Sequence, residues 1–248
     1  MAKKRPSNWD GGTDGNDRSD EAIDDEPESW EIEGNRPEDQ YTHPAEYWTA
    51  EAIARLLKAK GQARIQHELA IKALNNLSAQ FPGILEIEGS GPVAIDIGCG
   101  LGFASDVLVD AGFTAVGIDI INDMLLLSSK REAVAENGKR GRYHRVLASA
   151  TSMPLRSGVF DIATSISALQ WLNTAGAMQS FASELDRVAS PRCAITFQHY
   201  PRSSDQMMEL GTTIKQHGFE GGILVENVKN PRKRKIFLLA RKRAEPTS

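Results

Sequence analysis

The stretch Val93-Ala94-Ile95-Asp96-Ile97-Gly98-Cys99-Gly100-Leu101-Gly102-Phe103 decides how this chain is read. Its apolar start suits a strand covered on both faces, and the three glycines let the backbone turn sharply and approach a ligand closely as a helix opens. Glycine spacing alone fits a dinucleotide loop as well as other cofactor turns, so two acids carry the distinction. Asp96 lies just before the loop. Asp119 ends the next apolar run (AVGID), where its carboxylate is placed to accept both hydroxyls of a ribose.

Outward from that turn, strand and helix signals alternate. Strands are predicted at 93–97, 115–120, 143–147, 160–165, 193–198, 223–228 and 235–240, with helices at 103–111, 123–137, within 173–189 and at 204–217. Two more helices precede the sheet. The segment 44–60 carries Trp48, Ile53, Leu56 and Leu57 at helical spacing, and 62–77 places Ile65, Leu69, Ala73 and Leu77 on one face. This alternation implies an α/β fold, a mostly parallel seven-stranded sheet with helices on both faces. The last two strands are joined by KNPRKRK, close enough for a hairpin, so the sheet is expected to end with an antiparallel strand and to have 143–147 at an edge. Ligands in such sheets bind beyond the carboxyl ends of the strands, where the glycine loop lies.

The form D-x-G-x-G-x-G from Asp96 to Gly102, with an acid ending the second strand, resembles the class I S-adenosylmethionine-dependent methyltransferases, which are Rossmann-like, rather than the dinucleotide dehydrogenases. The resemblance implies that Gly98 and Gly100 lie beside the methionine part, with the loop and helix start offering N–H groups to its carboxylate. Asp119 would hold the ribose. Ile120 and Met124 would flank the adenine, although an aliphatic pair at a strand end is also ordinary core. Relatives usually place an Asp after the third strand to meet the adenine amino group; here LASATSMPL (147–155) has Ser149 or Thr151 instead.

The chain has 248 residues, 40% of them hydrophobic, enough for one α/β domain and a tail. Residues 1 to 33 hold eleven carboxylates against four basic side chains, a net of −7, so the formal −4 of the whole leaves a body of +3. Residues 1–35 therefore read as an acidic disordered tail, 36–242 as the folded domain and 243–248 as a short C-terminal tail. Cys99 and Cys193 form no C-x-x-C, which argues against a zinc site or a disulfide framework. No apolar stretch reaches the length of a membrane span and no signal-peptide core is present, so an intracellular location is expected, cytoplasmic and also nuclear in a eukaryote.

A narrower resemblance rests on SISALQWLN (165–173), RPE (36–38), ARIQHEL (63–69), FQHYP (197–201) and GFEGGILVENVKNPRKRKIFLL (218–239). Together these look like the small-subunit rRNA (guanine-N7)-methyltransferases of ribosome biogenesis. That family implies methylation of one guanine at N7 in small-subunit rRNA or a pre-ribosomal particle, and a small zinc-ribbon activator subunit. Guanine N7 has a lone pair and no proton to lose, so positioning matters more than a general base. Trp171 or Tyr200 would stack on a splayed-out guanine and Gln170 would bond its edge, against the plainer reading of Trp171 as core.

Lys229, Arg232, Lys233, Arg234 and Lys235, followed by Arg241, Lys242 and Arg243, read as a basic strip at one end of the fold, away from the glycine loop. Phosphate contacts would explain it, and so would charges guarding an edge strand. A small-molecule methyltransferase, which would need a closed apolar pocket, and an assembly factor that binds more than it catalyses are the competing readings.

Overall fold

The computed structural model describes residues 36–59, 61–86, 91–134, 142–228, 230 and 233–243. The acidic segment 1–35, the end of the helix predicted to 137, Lys229, Arg232 and residues 244–248 lie outside the described residues.

Four helices come first: α1 (Pro37–Gln40), α2 (Pro44–Tyr47), α3 (Ala50–Lys58) and α4 (Gln62–Gln80). The single helix expected over 44–60 is split because Thr49 is extended and its hydroxyl accepts from Ala52 N at 3.3 Å, starting α3. Such a cap contributes about 1 kcal/mol. Then β1 (Val93–Ile97), α5 (Phe103–Asp110), β2 (Thr114–Asp119), α6 (Asn122–Val134) and β3 (Tyr143–Leu147) alternate. After them come β4 (Phe160–Ile166), a 3-10 turn (Leu169–Trp171), α7 (Ala175–Val188), β5 (Ala189–His199), α8 (Ser204–Gln216), β6 (Phe219–Glu226) and β7 (Lys235–Lys242).

The sheet order is β3-β2-β1-β4-β5-β7-β6, parallel from β3 through β5, with β7 antiparallel to both β5 and β6. Alternation along the strands divides the core between two faces. Leu238, Ile95 and Phe197 pack with Phe181 and Leu185 of α7 and Ile214 of α8. Their neighbours Phe237, Leu239 and Ala94 pack with Leu69, Leu74 and Leu77 of α4 and Leu108 of α5.

β6 starts at Phe219, four residues before the predicted start, because Gly221 and Gly222 read as turn residues. Gly221 is needed inside the strand: a Cβ there would lie 2.0 Å from Leu239 O. The hairpin register also corrects the basic strip. Ile236 faces His199 and Arg241 faces Ala194, so Lys233 to Lys235 reach the carboxyl rim of the parallel strands while Arg241 to Arg243 lie at the opposite end. The six-residue spacing from Lys235 to Arg241 separates the clusters by about 20 Å. Arg241 pairs with Glu220 (2.8 Å) and Lys242 with Asp186 (2.9 Å). The hairpin tip is thus on the same rim as the glycine loop, displaced sideways by three strand spacings, roughly 14 Å, rather than away from it.

Candidate active site

The carboxyl ends of β1, β2 and β4 open into a cleft of about 780 Å³. At the end of β1, Asp96 is buried, with Oδ2 accepting from Ser105 Oγ (2.6 Å) and Oδ1 from Thr164 Oγ1 (3.4 Å). Loss of water raises its carboxyl to about 6, an effect that Asp119's charge reinforces and the two hydroxyls oppose.

Gly98, Gly100 and Gly102 all have positive φ. Gly98 and Cys99 donate their N–H to Ile118 O (2.9 and 3.0 Å), Gly100 donates to Asp119 Oδ2 (2.8 Å) and Gly102 to Cys99 O (2.8 Å). These N–H groups are spent inside the loop, so the glycines supply the turn and open space rather than the donors expected for a ligand carboxylate. Gly98 lies against the segment after β4: a Cβ on it would sit 2.3 Å from Ala168 Cβ. Gly102 does not line the cleft and turns instead toward α6 and β3, where a Cβ would meet Ser128 Oγ at 2.7 Å and the Tyr143 ring at 2.9 Å. In this structure Gly102 serves the packing of the loop on α6 and β3. Gly117 in β2, which the sequence reading passed over, is confined in the same way by Cys99 Sγ (2.7 Å) and Tyr143 OH (2.8 Å).

Asp119 lines the cleft at the end of β2, its Oδ1 accepting from Ile121 N (2.9 Å). Burial raises its carboxyl, opposed by the backbone N–H groups of Ile121 and Gly100. Each oxygen keeps a further lone pair. Ile120 and Met124 line the cleft and also pack with Leu101 and Ile53. Ser149 lines it with Ala148 and Ala150. Thr151 stands behind, its hydroxyl bonded to Ser149 Oγ at 2.8 Å.

After β4, Ser167 takes φ +58 and becomes a junction. Its N–H donates to Gln198 O (2.9 Å), its hydroxyl to Gln198 Oε1 (2.8 Å), and its carbonyl accepts from Gln170 Nε2 (2.8 Å). Gln170 Oε1 is buried with no partner among the described residues. In the 3-10 turn the core position belongs to Leu169, 2% exposed, which leaves Trp171 half-buried at the cleft with its ring 6.1 Å from that of Tyr47. Tyr200 is 37% exposed.

Gln170, Trp171 and Tyr200 therefore come together, and they share a second recess of about 280 Å³ that is continuous with the cleft. Its other wall is the segment from Arg36 to Glu38 with Tyr47 and Trp48. Arg36 ties this segment down by donating to Tyr200 O (2.7 Å), and Arg202 pairs with Asp39. The sequence held only a weak signal for it, since RPE reads as a motif without showing where it folds back. His199, beside Tyr200, is buried, and loss of water holds its imidazole down to about 4. Lys233 is exposed, Arg234 donates to Val228 O (3.0 Å) and Lys235 stands opposite Glu226.

The cleft fits S-adenosylmethionine: a carboxylate at the end of β2, side-chain-free glycines beneath and apolar side chains alongside. Residues 95–197 match the family described as a methyltransferase domain. A S-adenosylmethionine-dependent methyltransferase from Leishmania major superposes with a TM-score of 0.58 at 18% identity, covering 79% of this chain and 80% of that one, a likeness of fold. Fold, loop and domain together define a class I methyltransferase with S-adenosylmethionine as its cofactor. The 18S rRNA (guanine-N(7))-methyltransferase of Arabidopsis thaliana is 32% identical over 216 residues, 83% of this chain and 69% of that one. The probable 18S rRNA (guanine-N(7))-methyltransferase of Dictyostelium discoideum is 32% identical over 157 residues, 60% of this chain and 52% of its own length. The chain belongs to the 18S rRNA (guanine-N(7))-methyltransferase family.

Proposed function

We propose that this protein transfers the methyl group of S-adenosylmethionine to N7 of a guanine in small-subunit ribosomal RNA during ribosome biogenesis. The observation that carries the reading is the recess lined by Trp171, Gln170 and Tyr200, which shares its lining with the cleft that Gly98 enters and offers two flat rings to a splayed-out base. The cofactor supplies an electrophilic methyl group on a sulfonium. Asp119 holds the ribose, Gly98 and Gly100 admit the methionine part, Ile120, Met124 and Ser149 frame the adenine, and buried Asp96 backs the loop. Trp171 and Tyr200 hold the base, and no residue need take a proton from it. A small-molecule acceptor would favour a closed apolar pocket, whereas Arg36, Glu38 and Gln170 make this recess polar.

Lys233, Arg234 and Lys235 on the same rim, with Lys229 and Arg232 in the connecting segment, would meet RNA phosphates. β3 at the sheet edge, with Leu147 57% exposed, offers a strand to a small zinc-ribbon activator. Residues 1–35 act as an acidic solubilising tail. The protein works in the cytoplasm, and in the nucleus too where the source is eukaryotic; no helix among the described residues is long and apolar enough to cross a membrane. The test is transfer of tritiated methyl groups into small-subunit RNA or assembling subunits, with 7-methylguanine identified after hydrolysis. Label confined to small molecules would refute the proposal.

A further inference from the structure

The recess contains a carboxylate that nothing above employs. Glu38 lines it, and its side chain is only 9% exposed. The cation near it is Arg36, whose Nη1 stands 3.8 Å from Glu38 Oε1, beyond hydrogen-bond length, because that nitrogen donates to Tyr200 O at 2.7 Å. Glu38 is therefore an acceptor largely removed from water, with no hydrogen bond to it among the described residues. A second acceptor belongs to a residue of the same lining: Gln170, whose Nε2 is committed to Ser167 O and whose Oε1 is buried with no partner among the described residues. Covered acceptors with unused lone pairs are costly, and they discriminate strongly for a ligand that brings donors.

Of the two purines, only guanine brings donors in the matching arrangement. Its Watson–Crick edge presents N1–H beside the exocyclic N2–H groups, a pair that a carboxylate accepts side by side. Adenine presents a lone pair at N1 and would face the carboxylate acceptor to acceptor. We infer that Glu38 reads the acceptor guanine, accepting from N1–H and N2–H while the ring lies among Tyr47, Trp171 and Tyr200, with Gln170 Oε1 as the supporting acceptor. The inference rests on the proposed guanine-N7 reaction and gives it a specificity determinant.

The contact also does more in the transition state than in the ground state. As N7 gains the methyl group the purine takes on positive charge, which makes N1–H and N2–H stronger donors and draws them toward the carboxylate. An interaction that strengthens as charge develops raises turnover rather than only affinity. Arg36 sets the geometry: its bond to Tyr200 O anchors the segment carrying Glu38 to the loop carrying Tyr200.

The test uses the full chain, together with its activator if that is needed for solubility. The guanine methylated by the parent protein is mapped by borohydride and aniline cleavage, and small-subunit RNA is ligated with guanine or inosine at that position, inosine lacking only the N2 amino group. For the parent, loss of a charge-assisted hydrogen bond predicts kcat/KM for inosine about 10- to 100-fold lower. In Glu38→Gln, which keeps the size but turns a donor toward the base, methylation of guanine should fall by a similar factor, mainly in kcat, and the guanine-over-inosine preference should collapse to less than about threefold. S-adenosylhomocysteine affinity and the thermal midpoint should stay at parent values, which separates reading from folding, and Glu38→Asp should recover part of the preference. A Glu38→Gln protein that keeps the parent's rate and preference overturns the role of Glu38 while leaving the guanine-N7 reading intact. A parent that makes no 7-methylguanine in RNA overturns that reading and this inference with it.

Discussion

Gly98 and Ala168 touch across the site, and their contact can be measured. In Gly98→Ala the new Cβ would lie 2.3 Å from Ala168 Cβ on a backbone at φ +71. Carbon atoms rest about 3.5–4.0 Å apart, so more than an ångström must be found by moving the loop or the segment after β4. Left-handed backbone costs a residue with a side chain about 1–2 kcal/mol. Overpacking adds about 1–3 kcal/mol, for a total of roughly 2–5 kcal/mol. At about 2–4 °C per kcal/mol for a domain of this size, the thermal midpoint should fall by roughly 4–20 °C, and calorimetry should show weakened S-adenosylmethionine binding. Adding Ala168→Gly removes the opposing methyl but not the backbone cost. The double mutant should therefore recover about 1–3 kcal/mol over the sum of the single mutants. Additivity within about 0.5 kcal/mol would mean that the two segments do not meet as described and would refute the argument.

Asp119→Ala should weaken S-adenosylmethionine by about 1.5–3 kcal/mol in calorimetry; because the carboxylate also holds the N–H groups of Gly100 and Ile121, the thermal midpoint should fall as well, and unchanged affinity would remove the ribose assignment. Asp96 ionises near pH 6 when folded, above its ordinary 3.8, so the stability it contributes is complete below about pH 3.8 and is lost as pH rises through about 6. The ionised form favours a cation in the cleft, so S-adenosylmethionine affinity should drop between pH 7 and about pH 5 more than that of uncharged-sulfur S-adenosylhomocysteine, and parallel pH profiles would contradict this. Replacing Lys233 and Arg234 with Ala should lower the slope of log RNA affinity against log salt by about 0.7–0.9 per lost contact at unchanged cofactor affinity, whereas identical salt curves would leave the hairpin a charged edge. The chain alone should be poorly soluble or bind cofactor weakly, and co-expression with the zinc-ribbon activator should correct this; a fully active chain indifferent to the activator would count against strand addition at β3.

What the sequence made legible was whatever local pattern controls. Val93–Ile97 and Tyr143–Leu147 were bounded correctly because apolar runs and turn residues suffice to bracket a strand. The break at Thr49 was hidden because Trp48 and Ile53 keep helical spacing across it, and only the cap bond reveals it. Gly221 looked like punctuation because its reason, the approach of Leu239, lies on another strand. The site divided along the same line. Asp119, Ile120, Met124 and Gly98 follow in chain order from the glycine loop and all line the cleft, whereas Glu38 and Tyr47 reach the recess because Arg36 binds a carbonyl in the loop after β5 and Arg202 pairs with Asp39. Thr151 and Gly102 were near enough in sequence to be counted, yet the backbone turns them away from the cleft. Antiparallel pairing, which composition cannot express, divides the basic strip.

Helix α4 carries a consequence for how the chain is made. Its apolar face, Leu69 to Leu77, meets Leu108 of α5 and Ala94 of β1 early, but Ala194 of β5 and Phe237 and Leu239 of β7 only late, and two hydrogen bonds close late too, Thr196 to Ala73 O and Asn76 to Glu226, separations of 123 and 150 residues. At about 5–20 residues per second, a nascent chain waits roughly 8 to 30 s between making this helix and making the last strand that completes its cover. During that interval the part of the stripe awaiting β5 and β7 stands beside β-strands that have no outer neighbours, the condition in which chains stick to one another. Chaperone dependence during synthesis, and aggregation of any fragment that stops short of β7, are thus written into the order of the strands.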